Sequence, residues 1–456
     1  MKRLTIVTAV LAALIAVPAA EASTRQVTIL QDDVHLRHDT AATLDEFSAL
    51  GADVVKIGLS WDEVAPNGRR KPSGFDASNP AGYQWGNYPQ VIEAISARGM
   101  RPFVNVVGLA PDWASKRGGR RGTNRPSSKE YGLFLEAVGK QFPGVDLWSL
   151  WNEPNLYSWL SPQRKQGTPL SPSIYRNLYL AGHAGLERSG HESDTILLGE
   201  LMPRGGTSSK KIPPLDFLRE MVCLDRNYRQ YRGRAARKRG CKRVGRIPTS
   251  GLAYHPYTLA NGPSVREPVA GDAAIGQLSR VTRTLDALAR RGKLPRRTPI
   301  WITEFGYQTK PPDPFATPIG RAPGLMDESE LIAYRNRRVR SYSQYTLRDA
   351  PTWQAGLRFA NGRKKPGVYS AFALPLHLER RSAGRVEVFG AIRTASSGDV
   401  AVEVKANRRA SYRSVGSVPV NNVGYFRRTF RVKAGSEATF RVTLGEHSRA
   451  KQLAAR

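Results

Sequence analysis

Eight short apolar runs alternate with helix-like stretches between Val27 and Leu347, and this alternation narrows the folds open to the chain. The runs are Val27 to Leu30, Val54 to Leu59, Phe103 to Val107, Leu147 to Trp151, Ile196 to Leu201, Gly251 to Tyr254, Ile300 to Thr303 and Tyr342 to Leu347. Each is too short to be a helix of ordinary length. The helical stretches between them have recognisable ends: those near Leu44 to Leu50, Pro89 to Arg98 and Ser173 to Ser189 stop at Gly51, Gly99 and Gly190. Ser127-x-x-Glu130 and Asp327-x-x-Glu330 carry the reciprocal-cap pattern ahead of Leu133 and Leu331, predicting helix starts. Strands separated by helices imply βαβ units in a parallel sheet, and eight such units close into a barrel. An open doubly wound sheet would want a glycine-rich phosphate loop after the first strand, and Gln31-Asp32-Asp33-Val34 supplies none. The expected class is therefore α/β, a (β/α)8 TIM barrel.

With 456 residues the chain exceeds the roughly 250 that one such barrel needs. From Arg385 to Leu444 the pattern changes to short alternating runs such as Val400-Ala401-Val402-Glu403-Val404, separated by Gly and Ser turns. We expect a barrel over residues 23–380, a small antiparallel β-sandwich-like module over 384–447 that packs on it, and a loose polar tail over 448–456. Residues 1–22 read as a secretory signal: Lys2 and Arg3, an apolar run from Leu4 to Val17, then Ala20-Glu21-Ala22 before Ser23. Export would put Cys223 and Cys241 in an oxidising compartment, where one bridge is expected across a basic excursion. Two cysteines without nearby His or further Cys do not fill a zinc site, so no metal is expected there.

Two strand ends carry carboxylates. Leu147-Trp148-Ser149-Leu150-Trp151-Asn152-Glu153-Pro154 and Ile300-Trp301-Ile302-Thr303-Glu304-Phe305-Gly306 each deliver a Glu at the carboxyl end of a buried strand, where barrel enzymes keep their chemistry. Two carboxyls brought together there can divide glycoside hydrolysis between them, one protonating the leaving oxygen while the other attacks the sugar carbon. The bland alternative is a pair of unrelated acids closing turns.

Asn-Glu-Pro on the fourth strand with Glu-Phe-Gly on the seventh resembles the retaining glycoside hydrolases of clan A, the cellulase-like group that includes families 5 and 39. The resemblance covers most of residues 27–376. It implies a hydrolase of O-glycosidic bonds that needs no cofactor, with Glu153 as acid/base, Glu304 as nucleophile and Asn152 on the sugar 2-hydroxyl. It likewise implies that His255 contacts substrate and that Tyr257 donates to the nucleophile. Lys56 stands where the family usually places Arg, and a lysine cannot form the same two-pronged contact. Strand eight lacks the family's Trp, for which Tyr345 is the candidate substitute. Trp61, Trp113 and Trp159 follow strands two, three and four, where aromatic faces can stack on sugars.

A formal net charge of +32 raises the question of a polyanionic partner. Arg is spread through the whole sequence, which favours a solvated basic surface, with an acidic polysaccharide or anionic cell envelope as the alternative partner. Nucleic acid does not fit an exported chain. The rivals to a secreted polysaccharide-degrading enzyme are thus a non-catalytic carbohydrate-binding barrel and a polyanion-binding surface protein.

Overall fold

A computed structural model describes residues 23, 25–118, 120–242, 244–258, 262–314 and 316–454. The signal sequence expected over residues 1–22 lies outside them. Eight parallel strands close into a barrel: β1 Val27–Gln31, β2 Val54–Ser60, β3 Arg101–Val107, β4 Leu147–Leu150, β5 Thr195–Leu201, β6 Gly251–Tyr254, β7 Ile300–Ile302 and β8 Val339–Tyr345. They run in sequence order, and β1 seals the ring by pairing with both β2 and β8. All eight coincide with the expected runs to within a few residues.

The strand period of two explains what fills the barrel. Ile29, Val54, Phe103, Leu147, Leu197 and Ala253 form one buried apolar cluster, with Trp301 packed against it. Two residues further along, on the same face of every one of these strands but β5, stand Gln31, Lys56, Asn105, Ser149, His255 and Thr303, every one of them buried. Thus an apolar plug closes the amino end of the barrel, and a polar layer lies directly above it. Burying so many polar groups is tolerable only if they satisfy one another.

The expected helix ends are present. Ser127 caps the helix Ser128–Gln141 by accepting from the Glu130 amide, and Gly51, Gly99 and Gly190 follow their helices with positive φ. Asp327 and Glu330 instead lie inside the helix Ala322–Arg335, with both side chains buried. They do not cap it because they are turned onto the second domain. Arg449 and Lys451 donate to Asp327 at 2.7 and 2.6 Å, while Arg393 donates to both oxygens of Glu330 at 2.6 and 2.8 Å.

That domain is larger than the sequence implied. Strands β9 Leu376–Ser382, β10 Arg385–Ala391 and β13 Tyr425–Arg431 form one antiparallel sheet. The other contains β11 Asp399–Lys405, β12 Arg413–Pro419, β14 Thr439–Leu444 and β15 His447–Gln452. Residues 376–380, expected in the barrel, pair with β10 and belong to the sandwich. The supposedly loose tail contributes β15, which pairs with β14 from Leu444↔His447 onward and is followed by the buried Leu453. Its polar sequence hid it, since an edge strand with exposed alternate residues needs little apolar content. Leu331 and Tyr334 of the barrel helix cluster with Phe389, Ala391 and Tyr425, so the two domains share a core. We predict that Arg393→Ala, which strands Glu330 without its cation, costs about 3–5 kcal/mol in urea unfolding. A loss under about 1 kcal/mol would show the contact to behave like a surface pair.

Candidate active site

The turn after β4 is backbone under strain. Trp151 and Glu153 have φ of 72° and 35°, a region that costs a non-glycine residue about 1–3 kcal/mol. Neighbours hold it there. Asn105 Nδ2 donates to the Trp151 carbonyl at 2.9 Å, the Trp151 amide donates to the Val106 carbonyl at 2.9 Å, and the Glu153 amide donates to the Glu200 carbonyl at 3.0 Å. Residue 108 must be glycine, because a Cβ there would lie 2.3 Å from the Trp151 ring. The result is that Glu153 is aimed over the barrel mouth, where it meets the same His255 nitrogen as Glu304 at the end of β7.

His255 and Lys56 organise the carboxylates. His255 Nδ1 lies 3.1 Å from Glu153 Oε1 and 3.4 Å from Glu304 Oε2. Two legs meeting at one atom keep those two facing oxygens within about 6.5 Å of each other, a closeness compatible with a retaining pair. Lys56 Nζ donates to Glu304 Oε1 at 3.2 Å and to Glu200 Oε2 at 3.0 Å, and the Tyr257 hydroxyl donates to Glu304 Oε2 at 3.3 Å. Glu153 and Glu304 keep 17% and 14% side-chain exposure, whereas Glu200 has none. Only the first two can meet a ligand.

Glu200 is the centre of the polar layer. It accepts from Ser149 and Thr303 at 2.6 Å each, from Lys56, and from His255 Nε2. Burial opposes its charge, but Lys56 and His255 outweigh that and hold its carboxyl far below the usual range. Burial would likewise discharge Lys56, yet the Glu200 and Glu304 carboxylates keep it an ammonium. For His255, burial also works against the charged ring, while Glu304, Glu153 and Glu200 push it up to about 9. Tyr257 is driven upward by burial and by Glu304, so it remains a phenol able to donate.

Lysine at position 56 now has a physical reason. It joins two carboxylates from different strands, a task suited to a compact point charge rather than a planar fork. Glu200, His255 and Glu304 also present donor atoms within 4.8 Å of one another, a spacing a metal ion can use. A metal would have to displace the Lys56 ammonium and strip a proton from His255.

The other expected contacts divide. Asn152 is buried, and its Oδ1 has no hydrogen-bond partner among the described residues. Tyr345 is half-buried at the end of β8. Trp61 is fully buried, stacked on Phe134 at 5.5 Å, and has no face for a sugar. Trp113 sits edge-on to Trp61 and Phe75 and donates to the Pro66 carbonyl, so it too serves packing. Trp159 is half-buried in the loop beyond Glu153, where its carbonyl accepts from Trp151 Nε1.

Two residues of the site escaped sequence reasoning. Trp353, in the loop after β8, lies edge-on to Tyr257 at 5.1 Å and 6.4 Å from Tyr345. Buried Lys365, bonded to Asp349, Thr309 and the Gln354 carbonyl, pins this loop in place. Trp353 thus places a half-buried aromatic ring beside Tyr257 and Tyr345, next to the end of strand eight. Its signal was a lone Trp in a loop after the last strand. Glu200 had a signal as well, a charged residue within the apolar run Ile196 to Leu201.

Cys223 and Cys241 form the expected disulfide. No described helix is long and apolar enough to cross a membrane.

The fold is a (β/α)8 barrel followed by a β-sandwich, with a pair of glutamates at the carboxyl ends of its fourth and seventh strands. The chain is similar in structure to a family 39 glycoside hydrolase from Bacteroides cellulosilyticus WH2, at 15% identity and TM-score 0.54, over 91% of this chain and 82% of that one. It is also similar to a glucosidase from Croceicoccus marinus, at 11% identity and TM-score 0.53, over 92% and 96%. No protein-family model matches the chain, and no curated protein matches it.

Proposed function

We propose that this chain is a secreted retaining glycoside hydrolase that cleaves β-glycosidic bonds of a poly- or oligosaccharide with Glu153 and Glu304. The observation that carries this reading is the pair of partly exposed carboxyls held on one His255 nitrogen, close enough for double displacement. Glu304 Oε2 attacks the anomeric carbon while Glu153 hands its proton to the leaving oxygen. Lys56 and Tyr257 hold Glu304 in the orientation for attack. Once the glycosyl ester has formed, the charge of Glu304 is gone, and Glu153 takes a proton from the incoming water. This chemistry calls on no metal and no organic cofactor. The glycosidase descriptions of the structural neighbours support the same reading. Export is supported by the leader-like pattern of residues 1–22 together with the Cys223–Cys241 bridge.

The deciding experiment is intact mass and peptide mapping after incubation with activated 2-deoxy-2-fluoro β-glycosides of several sugars. A single label on Glu304 is expected. Folded protein that takes no label and hydrolyses no aryl glycoside would leave a barrel that binds sugar without cleaving it.

In this reading Asn152 Oδ1, which has no hydrogen-bond partner among the described residues, accepts from a hydroxyl beside the reacting carbon. Asn152→Ala is expected to lower kcat/KM about 100-fold on ordinary glycosides, roughly 2.7 kcal/mol of barrier, and by far less on 2-deoxy glycosides. Equal losses on both would show that Asn152 only shapes the turn.

A further inference from the structure

We propose that the loops after β2, β3 and β4 form a track for the carboxylate or sulfate groups of an anionic polysaccharide, making an acidic glycan the substrate of the cleft. This inference rests on the glycosidase reading for the direction in which the chain enters. Two hollows carry it. One, of about 450 Å³, is lined by Arg69, Lys116, Arg117, Arg120 and Arg121, with Asp112 as the sole acid. The other, of about 350 Å³, is lined by Arg125, Lys165 and Lys238 and by no acid.

The basic surplus of the whole chain does not by itself explain these hollows. Many cations elsewhere are paired with carboxylates: Arg335, Arg381 and Arg427 converge on Glu387, and Lys140 and Arg188 share Glu136. In the first hollow only Arg121 is paired, with Asp112 at 2.9 Å. Among the described residues, no carboxylate pairs with Arg69, Lys116, Arg117 or Arg120, nor with Arg125, Lys165 or Lys238. Like charges gathered in a concavity repel one another and focus potential, so they favour a ligand that brings negative charge in. Guanidinium groups match the planar carboxylate and the sulfate oxygens with paired hydrogen bonds. Neither hollow is lined by an aromatic ring, which a nucleic-acid strand would want for stacking its bases.

The hollows are also joined to the catalytic turn. Thr123 and Arg125 exchange backbone bonds with Ser161 at 2.9 Å, zipping the loop after β3 to the loop after β4. The Ala110 amide donates to the Gly122 carbonyl at 3.1 Å, and Gly108 abuts Trp151, two positions before Glu153. Lys238 is delivered to the same rim by the segment closed by Cys223 and Cys241, whose Gly240 carbonyl accepts from buried Arg176 at 2.7 Å. A polymer lying along this rim therefore reaches the cleft over loops that share its framework.

The test measures binding to polygalacturonate, alginate and heparin beside neutral dextran and galactan, by calorimetry on Glu304→Gln protein so that turnover does not intrude. The rim variant is Arg69→Ser/Arg117→Ser/Arg120→Ser. The control, Arg408→Ser/Arg409→Ser/Lys433→Ser, removes the same charge from the sandwich. At least one anionic polymer is expected to bind, to weaken tenfold or more in the rim variant and less than twofold in the control, and to be released by salt. In the Glu304 background, small neutral aryl glycosides should turn over equally in both variants. Equal loss in both variants, no binding to any anionic polymer, or the same rim-dependent capture of duplex DNA or phosphatidylglycerol vesicles overturns the proposal. Rim-dependent polymer binding by a protein that cleaves no glycoside would sink the glycosidase reading alone. Turnover of aryl glycosides with an indifferent rim would sink only this one.

Discussion

Glu304→Gln is expected to lower kcat by about four orders of magnitude, roughly 5–6 kcal/mol of barrier, while leaving the protein folded. An amide keeps the shape of the carboxyl but cannot form the glycosyl ester, so the whole double displacement fails rather than one contact in it. Removing the side chain separates the two acids more sharply. In Glu304→Gly, azide can enter the vacated space and attack a β-glycoside from the nucleophile's side, giving an α-glycosyl azide. In Glu153→Ala, the ester still forms from substrates with good leaving groups, and azide then yields the β-azide. Product stereochemistry read by NMR thus assigns each role. Azide products of the opposite configuration would exchange the two assignments, and undiminished turnover in Glu304→Gln would remove this residue from the mechanism.

The second large effect is expected at a residue that no ligand reaches. Glu200→Leu leaves Lys56 and His255 buried with their shared carboxylate gone, and truncating one partner of such a network costs about 3–5 kcal/mol. The pH dependence carries the sign. Because folding raises His255 from its ordinary 6.5 to about 9, its charge stabilises the fold fully below 6.5, and that contribution is lost as pH rises through 9. Glu200, held low, contributes above the ordinary carboxylate value and loses that contribution only in strong acid. Without Glu200, the His255 value should fall towards 6.5, drawing the alkaline limb of the pH–rate profile to lower pH. Should the leucine variant not fold, Glu200→Gln keeps the shape and reports the same shift. An unmoved alkaline limb in a folded variant would mean that His255 does not set it.

The barrel was legible because its evidence is local. A strand buried on both faces must be a short apolar run, a helix end prefers glycine, and eight repeats of the two leave one closed topology. Glu153 and Glu304 were legible for the same reason, each standing at the end of its own run beside a turn. Asp327 and Glu330 show the limit of local reading. Their spacing suits a cap, and only the sandwich packed against them makes them ion-pair partners inside a helix. The fates of Trp61 and Trp353 were likewise set by tertiary packing, since a Trp that follows a strand reads the same whether it stacks on Phe134 or packs against Tyr257.

What the sequence by itself determined is the alternation that builds the barrel and the strand ends at which it presents carboxylates. What only the tertiary structure decided is the charge state of the site. Lys56, Glu200 and His255 lie far apart along the chain, and each would be costly to bury alone. Closing the barrel brings them within hydrogen-bonding distance in a fully buried place, where each charge is stable because of the others.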